Sequence, residues 1–330
     1  MSAFTPTGFR AVALLGALAV AVLGAGLALG RVRVAGAPRA LAWGRAAAWA
    51  LAASAAAAAN GLSAAEPAGV RMLAIIGCTL LGMKAVVVVE ARAAGLPPLA
   101  PWRWLAFAAL WLGMDPRPFA APRAAPFADA RALLLRGAAW LAAGALAVAA
   151  ARFVWLRTGS RAAATALLLP GLSLVLHFGA CNLLAGGWRA AGIGVRPLFR
   201  APLLAHSLGE FWGRRWNLAF SEMAAAAVYR PLAARRGRAA GVAAAFALSG
   251  ALHELAISVP VRAGIGLPFL YFALHGGLVL LEDVLARRGV RLAGAAARAW
   301  TLAWLALPLL ALFHPWFLRG VVWPLAGVGE

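Results

Sequence analysis

Eight long apolar stretches dominate the sequence and constrain what it can fold into. A helix needs about 20 predominantly apolar residues to cross the hydrocarbon of a bilayer. Hydrophobic residues make up 64% of the 330 residues and charged residues only 12%, against about 25% charged in an ordinary soluble domain. The pattern therefore predicts an all-α, polytopic membrane helical bundle, with residues 1–330 forming one integral-membrane domain. The stretches run approximately from Ala11 to Leu29, Ala46 to Ala65, Met72 to Val89, Ala132 to Ala151, Ala162 to Leu184, Gly241 to Val259, Gly266 to Leu281 and Ala299 to Leu318.

A ninth apolar stretch, Trp102 to Met114, is too short to be counted with the others. It has 13 residues and prolines on both sides, which favour helix ends. Such a segment is typical of an interfacial helix or of one that enters the bilayer and returns. We therefore expect eight crossings and one interfacial or re-entrant helix here.

The basic residues predict how these helices are oriented. The chain has 31 Lys and Arg residues against 10 Asp and Glu residues. With eight crossings, the loops on one side contain 21 of the basic residues, and the termini and remaining loops contain seven. Positive residues accumulate on the cytoplasmic side, so the long loop 186–240 is expected to be cytoplasmic, in the inner membrane of a bacterium. Because topology accounts for the positive charge, we expect lipids as partners and no nucleic acid.

The longest loop contains an apolar segment with a narrow polar stripe. Residues 206–231 read HSLGEFWGRRWNLAFSEMAAAAVYRP. A single helix from Leu208 to Tyr229, with Ser207 as its N-cap, would place the polar residues within about 60° of one another. The pattern fits an interfacial helix as well as an active-site helix. The stripe consists of Glu210, Arg214, Asn217 and Ser221, and Trp212, Trp216, Ala219, Phe220 and Met223 lie opposite.

Histidines inside the apolar stretches are the next candidates, since ionisable groups at membrane depth are costly and frequently functional. His253 lies near the middle of the sixth stretch, with Ser249 one helical turn earlier. His275 lies in the seventh stretch beside two glycines, and His177, His206 and His314 compete for the same roles. Glu254, Glu282 and Asp283 are expected to pair with arginines. Position 257 is Ile, so the HE pair is not a zinc-protease motif, and no metal site is expected.

Two sequence blocks together resemble a known family. Residues 207–217 read SLGEFWGRRWN and residues 249–254 read SGALHE, with Asn217 and His253 36 positions apart. These blocks resemble the wax synthase branch of the membrane-bound O-acyltransferases, and the resemblance is concentrated in residues 202–283. The segment from Phe269 to Glu282 is similar to the helix that follows in that family. The segment from Gly113 to Phe119 is similar to one found in bacterial members.

The resemblance implies a membrane enzyme that transfers a fatty acyl group from acyl-coenzyme A to a hydroxyl, most simply that of a long-chain alcohol. His253 matches the family's active-site histidine and Asn217 its motif asparagine. An imidazole kept neutral by its apolar surroundings can act as general base on the alcohol, while Asn217 orients the substrate or holds the thioester carbonyl. Acyl-CoA and a lipophilic alcohol are then the partners, with no cofactor beyond this co-substrate. Candidate acyl-CoA contacts are Trp212, Arg214, Arg215, Trp216, Ser249 and His275, and Arg235, Arg236 and Arg238 are further candidates for its phosphates.

Two other classes of protein compete with an enzyme. A transporter or lipid-translocating protein could use His253 and His275 as a proton relay, although such proteins often contain paired internal repeats, which we do not find. A membrane scaffold would leave the buried histidine and asparagine without a role. Within the enzyme class, the acceptor could also be a diacylglycerol, a sterol-like alcohol or a secondary metabolite.

Overall fold

The chain folds into a bundle of α-helices. A computed structural model describes residues 2–33 and 36–329. The α-helices are α1 (Phe9–Leu29), α2 (Pro38–Leu62), α3 (Ala68–Ala93), α4 (Pro101–Leu110), α5 (Arg117–Ala120), α6 (Ala130–Thr158), α7 (Arg161–Ser173), α8 (Cys181–Ala190), α9 (Leu208–Glu210), α10 (Leu218–Ala224), α11 (Arg230–His253), α12 (Val259–Val261), α13 (Leu267–Arg287), α14 (Gly294–Ala306), α15 (Leu309–Leu312), α16 (Pro315–Phe317) and α17 (Trp323–Leu325). Short 3₁₀ turns form at Ser2–Phe4 and Pro202–Leu204.

Seven helices or joined helices of the described residues are long and apolar enough to cross a membrane. They are α1, α3, α6, α7 with α8, α10 to α12, α13, and α14 with α15. The predicted second crossing is α2, a helix of 25 residues. It is not one of the seven because its Ala-rich sequence is only weakly apolar. The polytopic helical bundle is therefore confirmed, with seven strongly apolar spans where eight were expected.

Small residues allow the helices to approach closely, as is typical of membrane bundles. A Cβ atom added at Gly82 of α3 would lie 2.5 Å from Cα of Ala52 on α2. On α6, a Cβ at Gly144 would lie 2.7 Å from the backbone nitrogen of Val175. The long alanine-rich and glycine-rich segments thus form contact faces, because backbone meets backbone at these positions.

Lys84 holds the short apolar stretch from Trp102 to Met114, which was expected not to cross the membrane. The helix α4 has ten residues, a length of about 15 Å, which is half of the hydrocarbon thickness. Lys84 is fully buried in α3, and its ammonium group donates hydrogen bonds to the carbonyls of Phe107, Trp111 and Gly113 at 3.0, 2.6 and 2.6 Å. These acceptors satisfy all three ammonium N–H groups, so the end of α4 and the loop after it are held against the middle of α3.

The last predicted crossing has different ends in the structure. The apolar helical segment runs from Gly294 to Leu312, where the sequence predicted Ala299 to Leu318. Pro308 separates α14 from α15, and Pro315 begins the separate α16. Proline removes a backbone donor and favours the first turn of a helix, which explains why the continuous stretch is divided.

Wide helical turns interrupt several of the long helices. π-helical turns occur frequently at functional sites, since the extra residue in the turn displaces side chains and frees backbone groups. Three of them lie within residues 202–283, and of these one is directly before Trp216 and another directly after His253. The turns are Leu174–Ala180, Phe211–Arg215, Ala225–Tyr229, Glu254–Ser258 and Leu318–Val322.

Candidate active site

The segment expected to form one helix from Leu208 to Tyr229 is broken at its centre. The helix α9 continues into the π-helical turn Phe211–Arg215, Trp216 is extended, and a new helix begins at Leu218. The prediction of one continuous helix was therefore wrong, and so was the polar stripe that it implied. The signal was present in the sequence, because asparagine favours helix caps over helix interiors.

Residue Asn217 forms the break. Its backbone is left-handed, with φ 44° and ψ 61°, a conformation that asparagine tolerates better than most residues. Its side-chain Oδ1 accepts a hydrogen bond from the backbone N–H of Phe220 at 3.3 Å, which makes Asn217 the N-cap of α10. The side-chain amide group makes no hydrogen bond within the described residues, and the residue is only partly buried. The cap therefore uses the oxygen and leaves two N–H donors free.

The N-terminus of α9 is capped by a neighbouring residue of the same segment and by a residue of α13. Ser207 is the N-cap of α9, as predicted, and its Oγ accepts the N–H of Glu210 at 2.9 Å. Glu282 of α13 accepts the backbone N–H groups of Leu208 and Gly209 at 2.9 and 3.1 Å. The expectation that Glu282 pairs with an arginine was wrong, because these N–H groups occupy its carboxylate together with the indole N–H of Trp300 at 3.1 Å.

The neighbouring carboxylate behaves as predicted. Asp283 pairs with Arg238 at 2.6 Å across the α11–α13 contact. This pair lies at the surface, with the Arg238 side chain about half exposed.

The ring of His253 is oriented by its own helix. Nδ1 lies 2.7 Å from the carbonyl oxygen of Ser249, one turn earlier on α11. A carbonyl oxygen accepts only, so Nδ1 is the protonated nitrogen and Nε2 carries the lone pair. Nε2 has no partner among the described residues and is not enclosed by protein, since the ring is only partly buried. The ring packs against Phe272, with centroids 4.1 Å apart.

The ring of His275 is oriented in the same way but is closed off. Its Nδ1 lies 2.7 Å from the carbonyl of Tyr271, and the residue has no exposed surface. Its Nε2 is buried without a hydrogen-bond partner. The rings of Trp212 and Tyr271 pack against it at centroid distances of 5.4 and 4.2 Å. Of the two histidines, only His253 has exposed surface.

Residue Phe272 brings the two sequence blocks together. Its ring contacts His253 and also Trp212, with a centroid distance of 5.4 Å to the latter. The carbonyl of Trp212 accepts the hydroxyl of Ser221 at 2.6 Å, one turn beyond the break at Asn217. The close approach of α11 to α13 at this level depends on Gly250, where a Cβ would lie 3.0 Å from Cα of Phe269.

The expectation of an arginine partner for Glu254 was wrong. Its Oε1 accepts the backbone N–H groups of Gly266 and Phe269, at 2.8 and 3.0 Å, at the start of α13. A carboxylate is favourable at a helix N-terminus because it satisfies unpaired donors there. Glu254 therefore fixes the π-helical turn after His253 to the helix that carries Phe272.

Two of the predicted acyl-CoA contacts, Trp216 and Ser249, are packed against other residues of the protein. Trp216 is enclosed by the rings of His177, Phe199 and Phe211, at centroid distances of 4.9, 4.9 and 5.5 Å. Ser249 is buried beside His253 and offers its carbonyl to that ring. These residues build the walls around the motif.

The two motif arginines differ from each other. Arg215 is engaged by the protein itself, with a 2.6 Å ion pair to Glu210 and hydrogen bonds to the carbonyls of Arg200 and Ala201. Arg214 is exposed and has no partner among the described residues. Contact of either arginine with acyl-CoA stays a prediction.

The structure adds two charged residues that sequence reasoning did not select, and it places His177, one of the competing histidines, against the motif. His177 lies in a π-helical turn, where its Nδ1 is 3.0 Å from the hydroxyl of Ser173 and its ring contacts Trp216. The two added residues are Lys84 and Glu222. Each is a lone charged residue within an apolar helical stretch, and that signal could have selected them.

The two sequence blocks supply the two kinds of group that acyl transfer requires, and they meet through the contact of Trp212 with Phe272. A lone pair on a neutral imidazole can accept the proton of a hydroxyl group. A side-chain amide with free N–H donors can stabilise negative charge on a carbonyl oxygen. Neither histidine is hydrogen-bonded to the other among the described residues, which leaves no direct proton relay between them.

The segment that contains both motifs is also the one that matches a known protein family. Residues 195–274 match the model of the membrane bound O-acyl transferase family. A probable long-chain-alcohol O-fatty-acyltransferase 3 from Arabidopsis thaliana is 32% identical over 149 residues, covering 41% of this chain and 44% of the relative. The long-chain-alcohol O-fatty-acyltransferase of Simmondsia chinensis is 34% identical over 102 residues, covering 28% and 29%.

A relative with another acceptor in its name also matches. Acyl-CoA–sterol O-acyltransferase 1 from Arabidopsis thaliana is 29% identical over 136 residues, covering 38% of this chain and 39% of the relative. The chain thus matches less than half the length of each of these curated relatives. The family match, residues 195–274, contains both Asn217 and His253.

Proposed function

We propose, from the match of residues 195–274, that the chain is a wax synthase-like member of the membrane bound O-acyl transferase family. It then transfers a fatty acyl group from acyl-coenzyme A to a hydroxyl group. The acceptor we propose is a long-chain alcohol, so that the product is a wax ester. The names of two of the similar relatives support this acceptor. We propose the orientation that places loop 186–240 in the cytoplasm, in a bacterial inner membrane, since acyl-CoA is supplied there.

The observation that carries the proposal is the orientation of His253. The carbonyl of Ser249 holds the proton on Nδ1, so Nε2 is a free acceptor on a partly buried ring. In the proposed reaction Nε2 takes the hydroxyl proton while the alcohol oxygen attacks the thioester carbonyl carbon. The free N–H donors of Asn217 stabilise the oxyanion that develops.

Collapse of the tetrahedral intermediate completes the transfer. The carbon–sulfur bond breaks, the carbonyl re-forms, and the leaving thiolate takes the proton back from Nε2 of His253. The products are the ester and free coenzyme A, and His253 returns to its neutral form. No covalent acyl-enzyme is needed, since both substrates can react in one ternary complex.

Ester formation in membranes tests this function. Membranes that contain the protein are supplied with labelled acyl-CoA and, separately, a long-chain alcohol, a diacylglycerol or a sterol. We expect ester with the long-chain alcohol, and a loss of about 10²- to 10⁴-fold in His253→Gln and His253→Ala. The matched control is His206→Gln, since His206 is exposed and its ring makes no contact in the site. Unchanged turnover in both His253 variants would remove the proposed base.

A further inference from the structure

A polar cavity of about 310 Å³ lies beside α10, separate from the surroundings of His253. Two segments and one side chain form its walls. They are residues 111–118, which lead from the end of α4 into α5, residues 194–198, and Glu222 of α10. The first loop contains most of the segment from Gly113 to Phe119, which takes no part in the contacts around His253. Both loops belong to the side expected to be cytoplasmic, where an anionic, water-soluble donor arrives.

Two arginines in the wall have donors to spare. Arg117 uses its Nε in an ion pair with Asp115 at 2.7 Å, while its terminal nitrogens make no hydrogen bond within the described residues. Arg196 is exposed and forms no ion pair among these residues. Both lie close enough to the carboxylate of Glu222 for a Coulombic interaction, as does Arg200. Guanidinium groups of this kind bind phosphates well, since their forked donors match the phosphate oxygens.

Two of the five arginines that the sequence favoured for phosphate are already engaged by carboxylates. Arg215 is paired with Glu210, and Arg238 is paired with Asp283. Arg117 has a similar ion pair at 2.7 Å, which leaves its terminal nitrogens free, and Arg196 forms no ion pair among the described residues. Arg196 is therefore more available to an anion than Arg215 or Arg238.

The wall of the cavity is fixed in place by a buried cation. Trp111 and Gly113, which both line the cavity, are the two residues whose carbonyls Lys84 holds at 2.6 Å. Gly113 also leaves no room for a side chain, since a Cβ there would lie 2.2 Å from Nε1 of Trp111. A loop anchored in this way presents Asp115 and Arg117 in a defined position, as a binding site requires.

The cavity is joined directly to the motif. The backbone N–H of Leu218 donates to the carbonyl of Leu198 at 3.0 Å, and Leu198 lines the cavity. Leu218 follows Asn217 in the chain, and Glu222 lies one turn further along α10. A ligand in the cavity is therefore next to the break in the helix that exposes the Asn217 amide.

We propose that this cavity binds the phosphorylated nucleotide part of the acyl donor, with Arg117 and Arg196 as the residues that select a nucleotide-bearing thioester. The carboxylates of Asp115 and Glu222 orient the two guanidinium groups and accept N–H and O–H groups of the same ligand. The proposal rests on the proposed function, because it concerns the acyl donor of that reaction. Lys84 acts through the loop and is a positioning residue.

Kinetics with the full chain in membranes test the cavity. The KM for acyl-CoA is measured in wild type, Arg117→Gln and Arg196→Gln, together with inhibition by free coenzyme A and by pantetheine, which lacks the nucleotide. In each variant we expect about a tenfold rise in the KM and in the coenzyme A inhibition constant, as expected for one lost charge-assisted hydrogen bond. The inhibition constant of pantetheine and the kcat stay unchanged. Arg298→Gln is the control, since Arg298 is exposed on α14 and distant in sequence from both loops.

Three results would overturn the cavity proposal. Both variants could keep the wild-type KM for acyl-CoA, or wild type could be inhibited equally by coenzyme A and pantetheine. In the variants, the inhibition constants of coenzyme A and pantetheine could also rise together, which would indicate a general disruption of the structure. If wild type forms no ester with any alcohol, the proposed function fails instead, so the two failures are distinguishable.

Discussion

Glu282 and Leu208 are 74 positions apart in the chain, and the carboxylate of the first accepts the backbone N–H of the second at 2.9 Å. This hydrogen bond, together with the one from Gly209, attaches the start of the SLGEFWGRRWN block (residues 207–217) to α13. The same helix carries Phe272, which packs against His253. One carboxylate therefore fixes the position of one motif relative to the other.

The first prediction concerns this attachment. We expect Glu282→Ala to lower the free energy of unfolding by about 1.5–3 kcal/mol, since partly buried N–H groups lose a charged acceptor. Ester formation should fall as well, because α9 is no longer held. Asp283→Ala removes only a surface ion pair and should cost about 0–1 kcal/mol. Unfolding midpoints of the two detergent-solubilised variants check this, and equal midpoints would contradict it.

The second prediction separates the backbone role of Asn217 from its side-chain role. Asn217→Gly tolerates the positive φ and Asn217→Asp keeps the cap, so both variants should fold with unfolding midpoints near that of wild type. Both lack the N–H donors, and we expect ester formation to fall about 10²-fold or more. Full activity in either folded variant would show that the amide donors are not required.

The third prediction concerns Lys84 and uses a contrast within α3. Lys84→Met leaves the carbonyls of Phe107, Trp111 and Gly113 without a donor, which should cost at least about 3 kcal/mol. Thr79 is buried in the same helix and its hydroxyl has no hydrogen-bond partner. Thr79→Val should therefore leave the unfolding midpoint unchanged or raise it. A Lys84→Met protein as stable as wild type would show that water or another group satisfies these carbonyls.

The fourth prediction tests the packing of the Ala-rich helix α2. Gly82→Ala places a methyl group 2.5 Å from Cα of Ala52 and should destabilise the bundle by about 1–3 kcal/mol. Gly77 lies on the same helix with nothing within 4 Å of its Cβ position. Gly77→Ala should be neutral or stabilising, because alanine favours a helix more than glycine does. Thermal unfolding of both variants decides whether α2 is packed as described.

The fifth prediction concerns pH. The backbone N–H of His206 at 2.8 Å and the Arg215 guanidinium at 2.6 Å lower the pKa of Glu210 below its usual value. A lowered pKa stabilises the folded state above the unfolded pKa of about 4.3, and this contribution is lost as the pH falls. Wild type should therefore be more stable than Glu210→Gln at pH 7, and the difference should shrink between about pH 5 and pH 3. A difference independent of pH would contradict the assignment.

The sequence was most informative where local patterns decide the structure. The long apolar stretches predicted the helical bundle because each helix satisfies its own backbone hydrogen bonds in lipid. Ser207 was identified as an N-cap from residue type and position alone. The motifs that contain Asn217 and His253 indicated a resemblance to the membrane-bound O-acyltransferases by their residues and their spacing.

Other features depended on contacts between distant segments, which no local pattern encodes. Asn217 can occupy a helix stripe or a helix cap, and the hydrogen bond of Leu218 to Leu198 favours the cap. Glu282 and Glu254 were expected to meet arginines, yet their carboxylates accept backbone N–H groups of other helices. His253 and His275 look alike in sequence, and only packing leaves the first open and encloses the second. The sequence by itself determined the long apolar helices and the residues that can donate or accept a proton or a hydrogen bond. The tertiary structure decided which of those residues keep a free donor or acceptor, because that depends on which neighbours the fold supplies.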